Sequence, residues 1–64
     1  MRILNDGEQI KLLVNKVGLP LTGQMGKVIG HTRAKFDPDY VCYWVQIIGY
    51  RHPFLYFEDE VELL

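Results

Sequence analysis

The chain has 64 residues, is 48% hydrophobic and 23% charged, and carries a net charge of −1, an ordinary globular composition that argues against disorder. At this length it makes one domain, buries only about 60% of the surface its unfolded form exposes, and leaves no room for a deep active-site cleft. Cys42 is the single cysteine, which excludes an internal disulfide and a thiolate-rich zinc site.

The opening Met1-Arg2-Ile3-Leu4-Asn5-Asp6-Gly7 lacks an apolar stretch of signal-peptide length. No run approaches the roughly 18 apolar residues of a membrane span, so the chain reads as soluble, unprocessed and cytoplasmic, with no membrane partner. Asp6-Gly7 is a turn signal ahead of a first strand over Glu8 to Val14, where Ile10, Leu12 and Val14 share one side and Lys11 and Leu13 the other. Asn15 to Gln24 holds two glycines and Pro20 among Val17, Leu19 and Leu21, which predicts a long loop laying apolar side chains back over the core.

A second strand is expected from Met25 to Arg33, with Gly26 and Gly30 marking a sharp coil or a close backbone approach. Asp37-Pro38-Asp39 is the turn before the strongest strand signal in the chain, Tyr40 to Ile48, where eight of nine residues are apolar or aromatic. Gly49 to Pro53 breaks that run, Phe54 to Phe57 resumes it as an antiparallel partner, and Glu58-Asp59-Glu60 fits one 3₁₀ turn. Val61 to Leu64 is then a fifth strand pairing near the first. The expected fold is all-β: a closed five-stranded small barrel with a short 3₁₀ turn before the last strand.

The period of two sends Val41, Tyr43, Val45 and Ile47 inward and Tyr40, Cys42, Trp44 and Gln46 outward. Tyr40 and Trp44, together with Tyr50 or Tyr56, then form a candidate aromatic contact patch, since large rigid rings supply contact area at low entropic cost. Packing under loops is the competing reading of the same rings. Charge is segregated: five cations and no anion lie between Gln9 and Phe36, and six acids against Arg51 lie in residues 37 to 64. This describes either opposite charges meeting across strands or a two-faced surface that steers a charged partner.

Reactive constellations are missing from the sequence. His31 and His52 have no third ligand at metal spacing, and Asp37 and Asp39 fall short of the ligand number calcium requires. There is no serine, and Cys42 sits in an apolar run where a thiol behaves as a small hydrophobe. Gly23, Gly26 and Gly30 lack the lysine-hydroxyl pair and long helix of a phosphate loop. No cofactor is expected and the chain reads as non-enzymatic.

Gly26-Lys27-Val28, Tyr40 to Val45 and Phe57-Glu58-Asp59-Glu60-Val61, in that order after a first strand and a long loop, resemble the SH3-like small barrels. The pattern resembles most the small peripheral photosystem I subunits and the variable chains of ferredoxin-thioredoxin reductase, and it is similar to KOW-type modules. Leu19-Pro20-Leu21 and Arg51-His52-Pro53 have no counterpart in it. The resemblance implies the barrel architecture.

Segregated charge and candidate surface aromatics favour a non-catalytic protein-binding module, an accessory subunit or regulator of a larger complex. The alternative is a nucleic-acid-binding barrel in which Lys27, Arg33 and Lys35 meet phosphates while Trp44 or Tyr40 stacks on bases. A third is a small virus-encoded inhibitor of a host enzyme. A homodimer would let a small core gain from burying aromatics in a second copy.

Overall fold

The computed structural model describes residues 3–64; the sequence reading of the N-terminal stretch falls in part on Met1 and Arg2, which lie outside it. Five strands form one antiparallel sheet: β1 (Gln9–Leu12), β2 (Met25–Arg33), β3 (Val41–Ile47), β4 (Phe54–Phe57) and β5 (Val61–Leu63), with the 3₁₀ turn η1 (Glu58–Glu60) between the last two. Their spatial order is β4-β3-β2-β1-β5. The elements fall where β-branched and aromatic residues run between turn-forming ones, and β2, β4 and η1 match the predicted bounds residue for residue.

The core lies on one side of the sheet. Ile10 and Leu12 of β1, Val28 of β2, and Val45 and Ile47 of β3 are fully buried there with Leu21 from the loop after β1. Two tyrosines complete it, each with its hydroxyl engaged: Tyr43 accepts from the Leu4 N–H at 3.2 Å, and Tyr56 donates to the Val14 carbonyl at 3.1 Å. These bonds let two phenols enter an apolar interior without leaving a buried hydroxyl unpaired.

The expected closure is corrected: the sheet is open, with β4 and β5 at its two edges. The strand ends are used elsewhere. The Phe57 N–H donates to Glu60 Oε1 at 2.9 Å, and the Glu60 carbonyl accepts from the Leu13 N–H at 2.9 Å. Glu60 Oε1 also takes the Lys16 ammonium at 2.7 Å, so one carboxylate ties η1 to β4 and to the loop after β1.

That loop is ordered by its own bonds. Asn15 Oδ1 accepts from both the N–H and the hydroxyl of Thr22, at 2.9 and 2.7 Å. At the tip, Leu19 N–H donates to the Lys16 carbonyl, with Val17 at φ 44° and Gly18 at φ 76°. Two successive positive φ values make a type I′ turn, which suits glycine or asparagine and strains a β-branched residue. Leu21 packs into the core as expected, but Val17 occupies that turn and is 81% exposed.

Gly26 meets the predicted close approach: a Cβ there would overlap Val45 Cγ1. Gly30 differs, since a Cβ would meet Trp44 Cδ1 at 3.9 Å, an ordinary contact. Its place is at a register shift between Val28 and Gly30, where β2 gains one residue relative to β3. This bulge reverses the side-chain phase of β2, so Lys27 lies on the side of Gln46 and Arg33 on the side of Val41.

Candidate functional site

The other side of the sheet is mixed, with Lys11, Lys27 and Gln46 among large apolar residues. Cys42, Trp44 and Gln46 alternate with the core residues of β3, and the register places Leu55 beside Trp44 and Phe57 beside Cys42. Cys42 is sealed, whereas Trp44 is 40% exposed and Leu55 similarly so. Ile29, turned outward at the bulge, and Met25 at the start of β2 are about half exposed. Ile48, just past β3, is 92% exposed. A groove of about 700 Å³ runs through this end, lined by Met25, Lys27, Ile29, Gln46, Ile48 and Tyr50 among others.

At the opposite end three rings meet edge to face. Phe36 lies 5.6 Å from Tyr40 and 6.0 Å from Phe57, and Tyr40 lies 5.2 Å from Phe57, centroid to centroid. Such T-shaped pairs match the electropositive ring edge to the electron-rich face. Tyr40 and Phe57 are half-buried, while Phe36 is 71% exposed. Exposed apolar side chains therefore lie along a stripe from Met25 and Ile48, past Trp44 and Leu55, to Phe36, interrupted by the Lys27–Gln46 pair between Met25 and Trp44.

The ends of the stripe differ in charge. Lys11 is the ladder neighbour of Met25, and Lys27 that of Gln46, both on the outer side and both exposed. At the ring cluster, Tyr40 donates its hydroxyl to Asp59 Oδ1 at 2.6 Å. That bond, then burial and the charges of Asp59, Glu58 and Glu60, pushes the Tyr40 phenol up to about 12. Burial, then the carboxylates of Glu58 and Glu60, raises the Cys42 thiol, with Lys16 opposing. Burial and Glu60 raise Tyr56 as well.

Of the aromatic residues read from the sequence, Tyr40 and Trp44 lie on this face. Tyr56 does not: it is 0% exposed on the core side opposite Tyr43, so its assignment as a contact residue is corrected. Every residue of β4 is apolar, which leaves its phase unmarked, and the Tyr56 hydroxyl finds its partner in Val14 inside the fold. Tyr50 is half-buried, packs edge to face on Phe54 at 5.6 Å and leans on the core.

Lys27, Arg33 and Lys35 do not form one patch. Lys27 and Arg33 are separated along β2 by about 20 Å at ~3.3 Å per residue, and the bulge puts them on opposite sides. The Arg33 guanidinium donates to the Pro38 carbonyl at 2.8 Å. The segregated charges partly neutralise each other across elements, as in the Lys16–Glu60 ion pair and the Lys11–Glu62 ladder neighbours. Phe36, Met25, Ile29, Ile48 and Leu55 were missed by sequence reasoning.

Among the described residues no group of three or more His, Cys, Asp or Glu side chains is placed to hold a metal ion, and no helix is long and apolar enough to cross a membrane. No family model matches this chain, and no curated protein or solved structure is significantly similar to it.

Proposed function

We propose that this chain is a non-catalytic protein-binding module, an accessory subunit or regulator that docks through the outer face of β2, β3 and β4. One observation carries the reading: the outer side of the sheet, though it carries Lys27 and Gln46, holds large apolar side chains open to solvent at Trp44, Leu55, Ile29 and Phe36. Contiguous apolar surface of this kind marks contact sites, because leaving it in water is costly and covering it is favourable at about 25 cal/mol per Å².

The SH3-like resemblance is part of the same proposal. It is supported by the five-strand antiparallel sheet and the 3₁₀ turn before the last strand. Nucleic acid fits this face less well, because the three cations that would meet phosphate are dispersed and the ring cluster is bordered by Asp59.

The test is capture from a native extract with wild-type and Leu55→Arg chains as bait, both verified as folded by circular dichroism. A protein retained by the wild type and lost with Leu55→Arg supports docking through this face. Equal retention by both, or retention by neither when the wild-type chain is also monomeric in solution, sinks it.

A further inference from the structure

We infer that the occupant of the outer face is a second copy of this chain, laid antiparallel across the stripe about a twofold axis near Trp44 and Leu55. The inference rests on the protein-binding reading and specifies its partner. Its basis is that the stripe is complementary to itself. Lys27 flanks one end beside Gln46, with Lys11 next to it offset by its ladder neighbour Glu62, while Asp59 borders the ring cluster at the other.

Gln46 and Tyr40 stand six residues apart, which is about 20 Å at ~3.3 Å per residue. That separation exceeds the Debye length of about 8 Å at physiological salt, so the two ends act as separate charges. A twofold rotation about the middle of the stripe sets the lysine end of each copy over the acidic end of the other and stacks the apolar centres. A parallel overlay would superpose like charges, so sign alone selects the antiparallel arrangement. Arg33, Lys35 and Lys16 also lie toward the acidic end, but the Arg33 guanidinium is engaged with Pro38 on the core side and Lys16, 5.4 Å from the Phe57 ring, is paired with Glu60.

Size agrees with this occupant. A stable interface takes about 800 Å² from each partner, which is less than a fifth of the 4337 Å² that the described molecule exposes. A 64-residue core is also the kind that gains most from a second copy, because its own burial is small.

The test is sedimentation equilibrium of the full 7.5 kDa chain from about 1 µM to about 1 mM, a range that brackets ordinary dimer affinities. The variants are Lys27→Glu, Asp59→Lys and Trp44→Ser, each checked for native circular dichroism. The wild type should pass to twice the monomer mass as concentration rises. Lys27→Glu alone and Asp59→Lys alone should each weaken association by about tenfold or more, since each places like charges together twice.

An equimolar mixture of those two variants should dimerise again, because both of its cross-contacts pair opposite signs. Trp44→Ser should associate least. Trp44 is the only tryptophan, so its emission should shift to shorter wavelength on dimerisation and provide a second readout.

A wild type that stays monomeric throughout, a dimer indifferent to all three substitutions, or a charge-swapped mixture that fails to re-associate overturns the inference. The extract capture separates the two ideas. A different protein retained by the wild type and lost with Leu55→Arg keeps the protein-binding reading and removes the second copy as occupant. Failure of capture together with a monomeric wild type removes both.

Discussion

The two sides of β3 are nearly equal in hydrophobicity and opposite in fate. Val41, Tyr43, Val45 and Ile47 are buried with Leu4 and with Leu21 of the loop after β1, whereas Trp44, one residue out of phase, faces water beside Leu55. What separates them is coverage. The core side is roofed by Leu21, by Leu4 and by the two tyrosine hydroxyl bonds, while nothing in residues 3–64 covers the Trp44 side to the same extent. Apolar character alone therefore does not define a core; connections that fold back over one side do.

The inner side is the more sensitive of the two. Tyr43→Ala should cost about 3–5 kcal/mol through lost burial and a cavity, against a total stability of roughly 3–10 kcal/mol for a chain of this length. Urea unfolding followed by circular dichroism should find its midpoint sharply lowered. Gly26→Ala should cost about 1–3 kcal/mol, because its methyl must displace the Val45 side chain. Gly30→Ala, which meets only the edge of Trp44, should change stability by no more than about 0.5 kcal/mol. Equal effects of the two alanines would contradict the register assigned to β2.

The roof is tested next. Glu60→Ala removes the acceptor shared by Lys16 and the Phe57 N–H and should lower stability by about 1–2 kcal/mol in the same urea assay. Val17→Asn acts in the opposite direction. It relieves a β-branched residue at positive φ and should stabilise by about 1 kcal/mol, raising the thermal midpoint by several degrees. A destabilised asparagine variant would show that the tip does not hold a type I′ turn.

The smallest effect concerns pH. Tyr40, Tyr56 and Cys42 all have raised values in the fold, Tyr40 to about 12. Each is uncharged when protonated, so the unfolded chain gives up its proton first as pH rises. The stabilisation is whole below the ordinary values of 9.0 for the thiol and 10.0 for the phenols, and it is lost as pH climbs through the raised values. Thermal midpoints should fall progressively above pH 9, and the Cys42 thiol should resist aromatic disulfide reagents until the chain unfolds.

Much of the fold was legible because β-branched and aromatic runs alternate with strong turn formers, as at Asp37-Pro38-Asp39 and Gly49 to Pro53. The inward set of β3 could be named because loops on both flanks fix its phase. β4 could not be phased in the same way: Phe54 to Phe57 has no polar residue to mark an outside, so Tyr56 was placed wrongly. The bulge was hinted at by Gly30 but its consequence was not. A one-residue slip exposes Ile29 and sends Lys27 and Arg33 to opposite sides, and no local pattern announces it.

Phe36, Met25, Ile48 and Leu55 were missed for a related reason, since isolated apolar residues near turns are indistinguishable from packed ones until the roof is known. Closure failed for want of strand. β4 and β5 are four and three residues long and are joined directly by η1, which leaves their ends to Glu60 instead of each other.

The difference between the two sides is tested most directly by hydroxyl-radical footprinting of the native protein across a concentration series, read residue by residue by mass spectrometry. Tyr43 and Tyr56 should remain unmodified at every concentration, while Trp44, Leu55 and Phe36 should react readily when dilute and become protected together as concentration rises. Modification of Tyr56 in the folded protein, or oxidation of Trp44 at the same rate in dilute and concentrated samples, would contradict a sealed inner side backed by an outer side that closes on a second copy.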